Sequence, residues 1–223
     1  MSPHNFEYDP LAAARGRILN AAARRIPAAS AASQARALGL WDGKEVRFGT
    51  EGQFGLLLDL GVFGPVGGHS RALEREARQP HDAEGARVLA ALAAAHFTLF
   101  RLGEAHPEGG VRAEDLLRGT VLHLRDNLLE RPEFEGCAFA GRLMRLDGME
   151  MTCGAAAPVT DAVIETLLGR GVPMLPAPAM LPALTPLTPE DAAALRAAAS
   201  AEDFAARVYR ASLDHGLLGK RPD

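Results

Sequence analysis

From residue 96 to residue 158, apolar and polar positions alternate, and glycines separate the alternating runs. This alternation predicts half-buried strands, whereas apolar positions before and after it recur at helical spacing. We therefore predict an α+β fold with a helical N-terminal part, a central small curved antiparallel β-sheet or partly open barrel, and C-terminal helices. The predicted blocks are residues 1–95, 96–158 and 159–223.

The clearest strand signal is a hairpin around Asp147-Gly148, a dipeptide that two-residue type I′ turns favour because both central residues need positive φ. A turn at this position pairs Arg145 with Glu150, a cross-strand attraction of about 0.2–1 kcal/mol. The opposite face is then apolar and consists of Met144, Leu146, Met149, Met151 and Cys153. A shift of one residue would expose that face, so the register is well specified.

Two further features indicate a curved sheet. The apolar positions change parity near Gly141-Arg142, which predicts a bulge or sharp bend of the kind that closes small barrels. A second hairpin is predicted at Arg118-Gly119, and it places Glu114 beside His123.

Helices are predicted on both sides of the sheet. Asp9-Pro10 is expected to open the first one, and Pro27 to end it. Residues 51–60 are predicted to form a leucine-rich buried helix, and the glycine-rich residues 61–70 a loop. Further helices are predicted over residues 30–38, 71–79, 83–95, 161–168, 190–199 and 201–215.

Residues 172–188 contain five prolines, a density that excludes helix and central strand. Six large apolar side chains are interleaved with them, so we predict an extended strap packed on its own domain or on a partner subunit. Its candidate partner contacts are Met174, Leu175, Met180, Leu181 and Leu184.

Charge and composition limit the classes of partner. The formal net charge is −4, which gives no electrostatic reason to expect nucleic acid or an anionic membrane. No apolar stretch approaches the ~20 residues of a membrane span, and no signal peptide is evident. We expect a soluble, cytoplasmic protein. The first predicted helix carries four arginines, Arg15, Arg17, Arg24 and Arg25, which suggest nucleic-acid binding. The alternative interpretation is an ordinary helix face exposed to solvent.

No motif assigns a reaction. The seven histidines form no pair at metal-ligand spacing, and Cys137 and Cys153 lie in apolar strands as buried thiols, with a disulfide as the alternative. We therefore predict no catalytic, metal or cofactor-binding residues and no metal, nucleotide or flavin cofactor. One candidate polar binding spot remains, for which local surface pairing is the alternative reading: Glu114, His123, Arg125 and Asp126.

Four short stretches carry a family resemblance: LGLWDG at residues 38–43, FTLF at 97–100, DLLRG at 115–119 and MTCGAAAP at 151–158. Together they resemble a group of uncharacterised bacterial proteins. The resemblance implies helices leading into a β-domain and a bacterial source, and it implies no activity. An alanine-, glycine- and arginine-rich composition with only two lysines agrees with a GC-rich bacterial genome.

Three functional hypotheses follow. The first is a non-enzymatic interaction or regulatory protein that acts through protein–protein contacts or self-association. The second is a nucleic-acid-associated protein that uses the N-terminal arginine-rich helix. The third is an enzyme of unrecognised type.

Overall fold

The computed structural model describes residues 5–64, 70–171, 173 and 178–220, with side chains from Pro10 onward. Its helices and strands place it in the predicted α+β class. In chain order they are α1 (Asn5–Ala23), α2 (Ala28–Leu38), α3 (Glu51–Phe63), α4 (Ala72–Glu76), α5 (Ala83–Ala93), β1 (His96–Ala105), β2 (Val111–Asp115), β3 (Thr120–Arg125), β4 (Ala138–Leu146), β5 (Met149–Val159), α6 (Asp161–Leu167), α7 (Pro189–Ala198) and α8 (Phe204–Asp214). A 3₁₀ turn, Pro132–Phe134, lies between β3 and β4.

The five strands form a mixed sheet that closes into a ring in the order β1-β2-β3-β5-β4. All neighbours are antiparallel except β3 and β5, which run parallel and share two residue pairs, Leu124 with Glu150 and Arg125 with Met151. Strand direction must alternate in an antiparallel ring, and five is an odd number. The predicted antiparallel arrangement therefore fails at this one junction, which the ring cannot avoid.

The predicted β4–β5 hairpin is confirmed. Asp147 and Gly148 have φ values of 52° and 83°, and Arg145 pairs with Glu150 as expected. On the predicted apolar face, Met144 and Met151 are fully buried, whereas Leu146 and Met149 are half-buried. Glu150, on the face predicted to be polar, is buried as well. The register also shifts between Gly141 and Leu143, where the bulge was predicted.

The register of the β2–β3 hairpin differs from the prediction. Asp115 pairs with Thr120, so Glu114 faces Val121 instead of His123. The carboxylate of Asp115 accepts hydrogen bonds from the backbone N–H groups two and three residues further on, which favours a longer turn. The predicted two-residue turn at Arg118-Gly119 is therefore wrong.

Two helix boundaries also differ from the prediction. α1 begins at Asn5, upstream of Pro10, so Asp9-Pro10 is not its start. Pro10 lies in the second turn of α1, where it removes one backbone hydrogen bond and its ring crowds the carbonyl four residues earlier. α3 continues through Gly61 to Phe63, so the predicted loop over residues 61–70 begins too early. A Cβ at Gly61 would lie only 2.7 Å from Ile26. Gly61 thus allows α3 to pack closely against the segment after α1.

Helices surround the ring and share its cores. α1, α4 and α5 pack with Met144 and Met151 of the hairpin. α2, α3 and α8 cover the second half of β5, and α6, α7 and α8 cover β1 and β4. The interior of the ring has its own cluster, which includes Phe100, Leu124 and Phe139. Apolar cores therefore extend across the predicted block boundary at residue 95.

Candidate functional site

A cavity of about 530 Å³, here called the ring cavity, lies at one end of the ring. Phe134, Phe139 and Ala156 give it apolar walls, and Gly52 and Gly55 bring α3 against its side. Small-molecule sites have this size, and they combine apolar walls with a few converging polar groups. The ring cavity is therefore the candidate site.

Asp126 supplies a carboxylate to this cavity. It directly follows β3 and is only 7% exposed. The hydroxyl of Thr152 donates a hydrogen bond to Oδ2, and the backbone N–H of Leu128 donates one to Oδ1 over 3.0 Å. An ionised carboxylate accepts about four hydrogen bonds. Asp126 is thus held in place by the protein and retains acceptor capacity for a ligand.

A second cavity, of about 210 Å³, lies between α1, α3 and β5. Gly55 and Gly154 line both cavities. Asp59 lines the second one, with Oδ2 3.2 Å from Nε of Arg142 and with Oδ1 buried without a hydrogen-bond partner among the described residues. Burial raises the pKa of Asp59 against the opposing attraction of Arg142.

Neither thiol is suited to nucleophilic chemistry. Cys137 and Cys153 are both buried and unpaired. Burial raises the pKa of the Cys137 thiol, and burial together with the carboxylate of Asp59 raises the pKa of Cys153 far above its ordinary value. The thiolate form, which is the nucleophile, is therefore disfavoured at both positions.

A buried acidic cluster occupies the ring around Asp115 and Glu150. Asp115 accepts hydrogen bonds from the Thr98 hydroxyl over 2.6 Å and from the Arg118 guanidinium over 3.0 Å, while Nε2 of His96 lies 3.7 Å away. Oε2 of Glu150 and Nε2 of His96 are buried without hydrogen-bond partners in the described structure. The cluster is held mainly by groups of the chain itself, so it is interpreted as structural.

The four residues of the predicted polar spot do not form one group. Glu114 pairs with Arg101 over 2.5 Å. Arg125 is buried and pairs with Glu130 over 3.3 Å, while Asp126 faces the ring cavity. His123 lies on β3, on the outside of the ring.

Sequence reasoning missed two residues beside His123. The ring of His106 stacks on that of His123 with centroids 3.7 Å apart, and Glu108 completes a group whose ligand atoms lie within 4.8 Å of one another. Partial desolvation and the proximity of His123 lower the pKa of His106. His106 and His123 are 17 residues apart, so spacing alone could not reveal the pair; the glycine-rich turn after His106 was the available signal.

The predicted partner contacts of the strap have different environments. Met174 and Leu175 lie outside the described residues. Leu184 is 4% exposed and packs in the core of its own chain, and Leu181 packs half-buried against the cluster inside the ring. Met180 is 79% exposed.

Three of the four arginines predicted for the first helix contact groups of the same chain. Arg15 donates to the carbonyl of Thr152 over 2.6 Å. Arg17 lies 3.6 Å from Glu84, and Arg25, just after the helix, lies 2.6 Å from Glu76. These contacts reduce the cationic surface that this helix offers to phosphates.

The family model described as "Family of unknown function (DUF7986)" matches residues 17–176, more than two thirds of the chain. Comparison with curated proteins and with solved structures gave no match. Among the described residues, no helix has the length and apolar character needed to cross a membrane.

Proposed function

Because the chain belongs to this family of unknown function, we propose its role from the site itself: a non-enzymatic bacterial protein that binds a small molecule in the ring cavity. In this proposal the bound molecule regulates contacts with other proteins. The cytoplasm is the proposed compartment, in keeping with two unpaired cysteines.

The observation that carries the proposal is the carboxylate of Asp126, which is buried, whereas the other two charged residues that line the cavity, Glu51 and Arg131, are exposed. Burying a charged group is costly unless donors surround it. Thr152 and Leu128 supply two donors, and a ligand would supply the next. The ligand class that fits is a small molecule with an apolar or aromatic body and a cationic or N–H-rich head.

The experiment uses benzamidine and tryptamine as probes, measured by ligand-observed NMR and thermal shift on the full chain. The matched variants are Asp126→Asn and Glu135→Gln, an exposed acid in the same connecting segment. We expect binding to the wild-type protein and to E135Q, and a loss of about tenfold or more in D126N, as for a charge-assisted hydrogen bond.

Equal affinities of D126N and E135Q, or no binding of either probe to the wild-type protein, would contradict this function. Circular dichroism of each variant separates lost binding from lost folding. Thr152→Val provides a second check, because it removes the hydroxyl that holds Asp126 and leaves the carboxylate in place.

Protein–protein contact is the second candidate function. Exposed large apolar side chains support it, with Val121 at 76%, Leu128 at 70% and Met180 at 79% exposure. Leu128 also lines the ring cavity, so a ligand there would touch a side chain that is available to a partner. Light scattering of the wild-type protein and of Leu128→Ser tests self-association through this position.

Nucleic-acid binding draws less support, since Arg15, Arg17 and Arg25 contact groups of the chain. Fluorescence anisotropy with duplex DNA at 50 and 200 mM salt decides this alternative. Phosphate contacts would give a steep loss of affinity with salt, and we expect no measurable binding at either concentration.

A further inference from the structure

Two glycines lie where the ring cavity and the second cavity meet. Gly55 on α3 and Gly154 on β5 line both cavities. A Cβ on Gly55 would meet the Cβ of Ala155 at 3.9 Å, and a Cβ on Gly154 would meet Cδ1 of Leu19 at 3.7 Å, both ordinary van der Waals distances. The missing side chains therefore leave open space between the cavities, here called the glycine passage.

Neither backbone conformation nor close packing requires a glycine at position 55. Gly55 lies inside α3, where alanine is the more favourable residue. The other two glycines of α3 differ from it, because a Cβ on Gly52 would lie 2.9 Å from Leu218 and a Cβ on Gly61 would lie 2.7 Å from Ile26. Packing thus explains those two glycines, and Gly55 is distinguished by the space that it leaves open.

Beyond the passage, the second cavity offers mainly apolar walls. Its charged residues are engaged by the chain. Arg15 donates a hydrogen bond to the carbonyl of Thr152 over 2.6 Å. Asp59 is 4% exposed and contacts Arg142 through Oδ2, and Asn20 is exposed. An apolar cavity of about 150 Å³ accepts benzene, so this cavity of about 210 Å³ can hold a hydrocarbon tail of several carbons. The apolar side chains that line it include Leu19, Leu58, Val62 and Phe63.

The carboxylate of Asp126 lies close to the passage. Thr152, whose hydroxyl donates to Asp126, precedes Gly154 by two residues on β5. Two residues of a strand span about 7 Å, and their side chains point to the same face. A ligand head at Asp126 therefore has the glycine passage within reach of a short tail.

We propose that the ring cavity and the second cavity form one elongated site for an amine with an unbranched hydrocarbon tail. The cationic head binds Asp126, and the tail passes between Gly55 and Gly154 into the second cavity. This inference rests on the proposed function, since it extends the ligand that Asp126 holds. The far end of the tail is uncharged, because a second ammonium group would leave water for apolar walls beside Arg15.

The test compares butylammonium with octylammonium by titration calorimetry on the full chain. Each methylene that leaves water raises affinity about fourfold, so octylammonium should bind the wild-type protein about tenfold more tightly or better. Gly55→Leu fills the passage and should reduce this gain to less than about threefold, with butylammonium affinity within about twofold of wild type. The matched control is Phe54→Leu, an exposed neighbour on α3 outside the lining of both cavities, which should keep the full gain.

Two further measurements support the comparison. Gly55→Ala is the milder variant, because its Cβ fits beside Ala155 without a clash, and it should reduce the gain by about threefold. If circular dichroism shows that G55L does not fold, G55A decides the outcome. In an isotope-filtered NOE spectrum, the terminal methyl group of octylammonium should contact Leu19 and Val62.

The outcomes separate this inference from the proposed function. Suppose that butylammonium binds and that D126N weakens it about tenfold. No gain for octylammonium, an undiminished gain in both Gly55 variants, or methyl NOEs confined to the ring cavity would then overturn the elongated site alone. Equal affinity for octylammonium and its α,ω-diamine would overturn the uncharged tail. Failure of both amines to bind the wild-type protein, or equal binding to D126N, would contradict the proposed function and this inference together.

Discussion

In the buried acidic cluster, the pKa values of Asp115 and Glu150 are shifted in opposite directions. Burial alone would raise the pKa of Asp115, but the nearby His96 imidazole, the Thr98 hydroxyl and the donors of Arg118 hold it well below its ordinary value. Burial raises the pKa of Glu150 despite His96 and Arg145. The negative charge of Asp115 therefore stabilises the fold, and the negative charge of Glu150 destabilises it.

Replacing Asp115 by asparagine should lower the free energy of unfolding by about 3 kcal/mol at pH 7, because buried donors lose a charged partner. A depressed folded-state pKa contributes stability above the ordinary value of 3.8, which is lost as the pH falls further. Urea unfolding at pH 7 and pH 3 should thus show the gap between wild type and D115N narrowing in acid. A variant as stable as wild type at pH 7 would contradict this role.

Replacing Glu150 by glutamine should change the free energy of unfolding in the opposite direction. A raised folded-state pKa means that the contribution of this group is fully present below the ordinary value of 4.5 and is lost as the pH rises. We expect E150Q to raise the free energy of unfolding at pH 7 by about 1 kcal/mol, with little effect at pH 4. Urea titrations at the two pH values measure it, and a less stable E150Q at pH 7 would refute it.

At the scale of elements, the β4–β5 hairpin depends on a turn with two left-handed residues. Asp147 also accepts two hydrogen bonds from Arg87, at 2.6 and 2.9 Å, which connect the turn to α5. The turn is therefore fixed both by its own backbone and by a neighbouring helix.

Gly148→Ala should destabilise the protein by about 1 kcal/mol, because a Cβ at φ 83° is strained. The control is Gly16→Ala in α1, where no heavy atom lies within 4 Å of the added Cβ and where alanine favours helix by about 0.5–1 kcal/mol. Thermal unfolding should shift in opposite directions for the two variants. A melting temperature of G148A equal to or above that of the wild-type protein would show that backbone conformation at Gly148 is unimportant.

Local sequence signals predicted the parts of the fold that are held together locally. The β4–β5 hairpin follows from one dipeptide and the alternating pattern around it. The β2–β3 register could not be read this way, because a single side chain, that of Asp115, lengthens the turn. The ring cavity and the pairing of His106 with His123 arise from contacts between segments that are distant in the sequence, and the periodicity of apolar residues does not reveal such contacts. The sequence identified Asp126 as a candidate binding residue, but it did not predict the cavity that Asp126 lines.

For the whole molecule, the described part of the proline-rich strap fastens the C-terminal helices to the ring. The N–H of Leu184 donates to the carbonyl of Gly136 over 2.9 Å, and Thr185 donates two hydrogen bonds to Asp161. In the described residues the strap thus packs on its own chain, one of the two predicted arrangements.

Leu184→Ala should lower the free energy of unfolding by about 3 kcal/mol, as buried leucines do when truncated. Met180→Ala, four residues away and largely exposed, should change it by less than about 0.5 kcal/mol. Urea unfolding compares them, and limited proteolysis should cut the strap faster in L184A than in M180A. Equal behaviour of the two variants would show that the strap is not anchored at Leu184.

The short parallel junction between β3 and β5 also bears on how the ring moves. Within β1–β2–β3 and within β4–β5, each strand pairs with its neighbour in the sequence. The β3–β5 junction instead brings together Leu124 and Glu150, which are far apart in the sequence, and the entropy lost in closing that loop is repaid by only two residue pairs. It is the place where opening costs least, and amide exchange there should be fastest among the ring strands. The hydrogen bond from Thr152 to Asp126 lies immediately beyond the last residue pair and links the two strands there. A molecule that engages Asp126 would therefore change how often the ring opens.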